Sequence, residues 1–314
     1  MISTQESYVI KYIRSFAMLS IILCHLLQAY DNKWAWIFNI GVQVFLAISG
    51  WLYGNKEISN WGKWYKDKFK KLYIPYIIYV IIAFLVYQII NIKVFSIKAL
   101  MIYILDMQWI LGGVEGLSHL WFMTTIVFCY VITPILQFLK KHATIYMFCL
   151  CVIGILNMLI FRICLGLFSC FLVYCFSYFF ACLSYKTRKI YVYFMLSASI
   201  ILLHIIDWNI ILDYTNNLNK LFHVLLGISI VILPIHFAYK LKRIRLSTII
   251  TLFDKYSFYA YLTHHLYMLG PLSIAYLTNS IEINISLITV LTILSAFTLK
   301  IVSDKLIYVF NLII

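Results

Sequence analysis

The feature that most constrains this chain is the length of its uncharged apolar runs. Residues 72–91 and 165–185 contain no Asp, Glu, Lys or Arg, and apolar runs of about 20 residues are the length at which a helix crosses the hydrocarbon of a bilayer. With 64% hydrophobic and only 11% charged residues, the sequence excludes a soluble enzyme. Barrel strands are shorter and alternate apolar with polar residues, so the expectation is an all-α polytopic membrane protein.

Apolar runs between polar breaks place spans near 8–29, 36–53, 72–92, 119–139, 143–160, 163–183, 190–206, 219–238, 256–277 and 284–304, about ten transmembrane helices in all. At about 21 residues each, these spans use roughly 210 positions and leave about 104 for loops and tails. A second soluble domain has no room, and no low-complexity stretch, Pro- or Ser-rich linker or internal repeat divides the chain. The expectation is one transmembrane domain over 1–314. The first run is read as a span and not a cleaved signal, because it is long, contains Arg14 and shows no small-residue cleavage site.

Charge sets the orientation. Of the 25 Lys and Arg residues, Lys33, Lys93, Lys98, Arg162 and Lys220 fall on one side, Arg14 lies within the first span, and the other 19 fall on the opposite side. The positive-inside rule makes the richer side cytoplasmic, with both termini there. The net charge of +14 is therefore a topology signal. Nucleic-acid binding would need a solvated basic face, and none is present. The eight cysteines all fall inside expected spans without ligand spacing and read as packing residues. No Ser-His-Asp set, CxxC, HExxH, Gly-rich phosphate loop or metal spacing appears.

Arginine at mid-bilayer costs about 2.5–3.5 kcal/mol even on the lenient insertion scale, so Arg14 needs an explanation. His25 follows eleven residues later; at 100° per residue the two side chains share one helix face, about 16 Å apart along the axis. One reading has Arg14 snorkelling to the inner surface with His25 at the outer interface. The other has both facing a functional cavity. In the second span, Gly41, Gln43, Ser49 and Gly50 read first as helix packing, small residues for close approach and polar ones for interhelical hydrogen bonds, with Gln43 and Ser49 also candidate substrate-binding residues.

Five segments in order then resemble one family. Tyr12-Ile13-Arg14 through His25 resembles the Arg-x10-His motif that begins the acyltransferase-3 family of integral membrane O-acyltransferases. Gly41 to Gly50 resembles its Gly-Val-x-x-Phe-Phe-x-x-Ser-Gly segment. Lys68-Phe69-Lys70-Lys71 followed by Pro75 resembles its basic lead-in to the third span, and His119-Leu120-Trp121-Phe122-Met123 resembles its His-Leu-Trp-Phe-Leu start of the fourth. Ser257-Phe258-Tyr259-Ala260-Tyr261-Leu262-Thr263-His264 resembles its Ser-Tyr-x-x-Tyr-Leu-x-His segment. There are two departures: Gln43 stands where the family often has an acid, and lysines replace arginines at 68 to 71. The resemblance is to the stand-alone type, without the hydrolase-like extension of some members.

The resemblance implies an O-acetyltransferase of a bacterial inner or plasma membrane that moves an acyl group, usually acetyl, from cytoplasmic acyl-CoA to a hydroxyl of a cell-surface glycan or its lipid-linked precursor. Acetyl-CoA is then a donor substrate, and no permanently bound cofactor or metal is expected. On chemical grounds a neutral imidazole suits deprotonation of a sugar hydroxyl near pH 7, which makes His25 the candidate general base. Arg14 is the candidate to hold an anionic part of the donor or to stabilise the oxyanion.

Lys68, Lys70 and Lys71 are candidates for the phosphates of CoA. The loop 54–71 that carries them, with Trp61, Trp64 and Tyr65 interleaved, equally suits contact with anionic membrane lipids. The long segment 93–118 is too apolar for a simple loop, and a partly re-entrant piece is expected. There Trp109, Glu115, His119 and Trp121 are candidate sugar contacts, with Asp106 able to bind hydroxyls, although tryptophans at this depth also read as an interfacial belt. His264 is a further candidate for the acceptor; as neighbours on a helix, His264 and His265 are not expected to face one cavity. His204, His223 and His236 are expected to be structural or interfacial. The alternative function is a glycan or lipid transporter or flippase of the same topology, disfavoured because no paired repeats or matched broken helices appear.

Overall fold

The computed structural model describes residues 3–90, 96–156, 165–205, 217–238 and 247–313. Lys93, Arg162, Lys240, Lys242, Arg243 and Arg245, used above for orientation, and Cys164 lie outside the described residues, as does the side chain of His204.

Among the described residues the chain is helical and contains no strand. In order, the helices are α1 (Thr4–Ala29), α2 (Ala35–Phe38), α3 (Gly41–Gly54), α4 (Trp61–Lys68), α5 (Ile74–Ile89), α6 (Ile97–Ile104), α7 (Gln108–Leu111), α8 (Trp121–Leu139), α9 (Ala143–Leu156), α10 (Leu165–Cys182), α11 (Tyr185–Ile205), α12 (Asn217–Phe237), α13 (Thr248–Thr263), α14 (His265–Met268) and α15 (Ile281–Ile313).

Among the described residues six helical segments are long and apolar enough to cross a membrane: Thr4–Ala29, Ala35–Gly54, Trp61–Ile89, Ser118–Gly154, Asn219–Phe237 and Ile281–Leu312. The segment Ser118–Gly154 takes in both the fourth and fifth expected spans, which meet at a 3-10 turn over Lys140–His142. The ninth expected span, 256–277, is not one helix. Helix α13 stops at Thr263, and beyond the single turn of α14 come Gly270, held at φ 98°, and Pro271. A positive-φ glycine followed by proline cannot continue an α-helix.

The chain divides into two compact units, Met1–Glu57 with Thr125–Asp254, and Ile58–Thr124 with Lys255–Ile314. In the first, α3 is central and packs on α1, α10 and α12. Its closest neighbour is α10: a Cβ added to Gly50 would run into the Tyr174 carbonyl oxygen, and one added to Gly54 into that of Tyr178. Only glycine permits this backbone approach, which is how helices gain dispersion energy where lipid removes the hydrophobic drive. Cys129, Cys170 and Cys175 are buried there as free thiols, small polarizable fillers among aromatic rings.

In the second unit, Asn60 caps α4 by accepting from the Lys63 amide at 2.9 Å. One π-helical turn, Phe69–Tyr73, leads into α5, whose Pro75 sits in the first turn where its missing N–H is harmless. Helix α5 packs on α15 and α6. Where it is described, the segment after α6 is a folded insert. Its backbone turns at Asp106 (φ 54°), Gly112 and Gly116. The Tyr103 hydroxyl accepts from the Val114 amide at 2.8 Å and donates to the Leu117 carbonyl at 3.3 Å. The Gln108 amide donates to the Leu120 carbonyl at 2.7 Å, which anchors the insert to the start of α8.

Candidate functional site

In the first unit the site begins with the capping box of α1, in which Ser3 accepts from the Glu6 amide at 3.2 Å and Glu6 from the Ser3 amide at 2.7 Å. The helix runs unbroken from there through Arg14 and His25. Both side chains therefore keep the shared face and the separation of about 16 Å that a continuous helix dictates. Arg14 is anchored: its Nη1 donates to Asp254 Oδ1 of α13 at 2.9 Å, with the two side chains 30% and 12% exposed. Tyr130 of α8 comes within electrostatic reach of Arg14 and lies near Ser49. Arg14 thus meets two residues that its motif does not contain, Asp254 and Tyr130. Because a guanidinium carries five N–H donors and Asp254 engages one nitrogen, the anchored fork can still meet a second anion.

His25 is half-exposed on α1, beside buried Cys24, whose sulfur accepts from the Gln28 amide at 3.3 Å. Gln43 is set lower in the packing. Its amide donates to the carbonyls of Asn39 at 2.9 Å and Ile40 at 3.2 Å, and a Cβ on Gly227 of α12 would collide with its own Cβ. Gln43 therefore ties down the turn ahead of α3.

The second unit holds a histidine cluster. His119, in the 3-10 turn before α8, places Nε2 3.1 Å from the Leu262 carbonyl, and its own carbonyl accepts from the Tyr261 hydroxyl. His264 Nδ1 lies 2.8 Å from the Tyr261 carbonyl, and His265 Nδ1 lies 2.9 Å from that of Gly116. The His119 ring stacks on His265 at 4.4 Å and meets His264 edge-on at 5.4 Å. All three are buried, at 3%, 0% and 4% exposure for His119, His264 and His265. His264 keeps helical backbone angles (φ −59°, ψ −39°), and the rings of His264 and His265 stand 89° apart, so the two neighbours meet His119 from different directions, one edge-on and one stacked. Among the described residues no group of His, Cys, Asp and Glu is arranged to hold a metal ion. Each imidazole is instead fixed by a backbone carbonyl, which sets its tautomer.

Around this cluster, Trp109 and Trp121 tilt against each other at 5.2 Å. Glu115 is exposed, and its carbonyl accepts from the Tyr87 hydroxyl at 3.2 Å. Asp106 is buried; Oδ1 accepts from Gln108 at 2.9 Å and Thr124 at 3.1 Å, while Oδ2 has no hydrogen-bond partner. Burial pushes its carboxyl up from 3.8 to about 7. Of the three lysines, Lys68 lies 5.6 Å over the Trp64 ring, Lys70 bonds the Asn311 side chain and lies 5.5 Å over Phe310, and Lys71 is exposed.

Asp254 and Tyr130 escaped notice because neither belongs to a motif. The scarcity of acids, 11 in the whole chain, is the signal that would have sent an intramembrane arginine in search of its partner. Compared with known families, residues 7–302 match a family model described as an acyltransferase domain, that of the acyltransferase-3 family. No curated protein and no solved structure matches the chain.

Proposed function

The chain belongs to the acyltransferase-3 family and is a membrane acyltransferase, and we propose that it moves an acetyl group from acyl-CoA to a hydroxyl of a cell-surface glycan or its lipid-linked precursor, at the plasma membrane of a bacterium. The observation that carries this reading is the anchored Arg14 on the same face of α1 as His25. In the proposed reaction His25 takes the proton of the sugar hydroxyl as its oxygen attacks the thioester carbonyl carbon. The carbonyl π pair moves to oxygen, and the tetrahedral oxyanion collapses as the carbon–sulfur bond breaks. The sulfur leaves with the electron pair and takes up a proton to give free CoA. Arg14 supplies positive charge on the donor side, its direction held by Asp254.

The separation of about 16 Å along α1 is comparable to an extended pantetheine arm, so a donor whose diphosphate lies near Arg14 brings its thioester to His25. The basic loop 54–71 is assigned to the anionic membrane surface, since Lys68 and Lys70 already have ring and amide partners. The function is tested with the purified chain in liposomes. Release of free CoA from acetyl-CoA is expected only when an acceptor glycan is present, and substrate movement without CoA release would overturn the reading. Mass spectrometry of surface glycans from cells with and without the protein identifies the acceptor.

A further inference from the structure

The first unit contains a cavity of about 500 Å³ where the ends of five helices meet: Glu6 at the start of α1, Trp51 near the end of α3, Phe180 near the end of α10, Tyr185 and Arg188 at the start of α11, and His236 at the end of α12. Each is the helix end that the Lys and Arg distribution assigns to the cytoplasm. Glu6 belongs to the capping box that starts α1, and none of the others takes part in the arrangement around Arg14 and His25.

The walls are planar and aromatic around one cation. Tyr185 and His236 are stacked face to face, with centroids 4.9 Å apart and planes 8° from parallel. The Arg188 guanidinium lies 5.2 Å from the Trp51 ring centroid, and its Nε donates to the Leu183 carbonyl at 2.7 Å. Among the described residues Arg188 makes no ion pair. Glu6 acts on it through space, while burial disfavours its charge. A cation in the first turn of a helix also runs against the helix dipole. An arginine kept in such a place, oriented by a carbonyl and an indole face, is built to meet an anion from outside the chain.

We propose that this cavity receives the adenosine-phosphate end of the acyl donor, with the purine against the exposed ring of Tyr185 and a phosphate on Arg188. The volume suits a ligand of that size, a guanidinium fork matches phosphate oxygens, and aromatic faces hold a purine by stacking. This placement rests on the reading of the protein as an acyl-CoA-dependent transferase.

The test measures binding of coenzyme A and of adenosine 3′,5′-bisphosphate to the full chain in nanodiscs by calorimetry. Arg188→Gln is expected to weaken bisphosphate binding at least about tenfold, the factor for one charge-assisted hydrogen bond. Glu6→Gln removes a negative charge beside the phosphate while a glutamine keeps the capping box, so it is expected to tighten binding by about two- to fivefold. These opposite shifts cannot come from general loosening of the fold, and Glu6→Gln carries the test alone if Arg188→Gln does not fold. If the unaltered protein fails to bind coenzyme A, the donor reading falls and the placement with it. If it binds coenzyme A and the variants show any other pattern, the placement alone is overturned.

Discussion

The two units solve the problem of polar groups inside an apolar chain in opposite ways. In the first, Arg14 keeps its charge, meets a carboxylate at 2.9 Å and stays 30% exposed. In the second, His119, His264 and His265 are buried and aim ring nitrogens at backbone carbonyls. A charge that stays partly uncovered by its own chain can exchange partners with a ligand, whereas an imidazole locked on a carbonyl is held in one tautomer and one direction. In the proposed reaction the exchange of protons and charge belongs to α1. The histidine cluster closes the break between α13 and α14 onto the insert that carries Gly116.

The most severe test of that contrast is His25→Ala. Loss of a general base is expected to lower CoA release by about 10²- to 10⁴-fold, with unchanged protein in the membrane by quantitative blotting; retained turnover would place the base elsewhere. Next comes Arg14→Ala, which leaves Asp254 without its cation and is expected to cost about 1–3 kcal/mol, less than a fully buried pair because of the exposure. In thermal unfolding the double variant with Asp254→Ala should recover part of that loss. Additive losses would show that the pair is not energetically coupled.

His265→Ala strips the Gly116 carbonyl of its donor and is expected to cost about 1–3 kcal/mol. It should lower the melting temperature more than it lowers transfer per folded molecule; the reverse order would move the histidine cluster into the chemistry. Confined to a pH window is the effect of Asp106→Asn. Asp106 titrates near 3.8 unfolded and about 7 folded, so the fold favours its protonated form. Its contribution to stability is full below about pH 4 and is lost as pH rises through about 7, by at most about 4 kcal/mol. The asparagine variant should lack that decline when melting is followed from pH 4 to 8.

Much of this was legible in the sequence because it depends on periodicity. The apolar runs locate the long helices, eleven residues on one helix put Arg14 and His25 on one face, and the small residues of the second span announce a close helix approach, found at Gly50 against α10. The rest depends on where different helices end. Asp254 reads as a charge at a membrane edge until α13 is laid beside α1. The break after Thr263 hides inside an apolar run whose only warnings are Gly270 and Pro271, several residues further on. The cavity around Arg188 draws on five helix ends, and no local pattern of residues records their meeting.

The ion pair between Arg14 and Asp254 also sets a schedule for making the protein. Its partners lie 240 residues apart, and at about 5–20 residues per second a ribosome needs about 10–50 s to reach the aspartate after the arginine. For that interval α1 must reside in or beside the bilayer with its arginine uncompensated, sheltered by water, lipid phosphate or the insertion machinery. A helix made long before its partner is thus among the last to be settled, and a chain stopped before Asp254 should remain a substrate for membrane quality control.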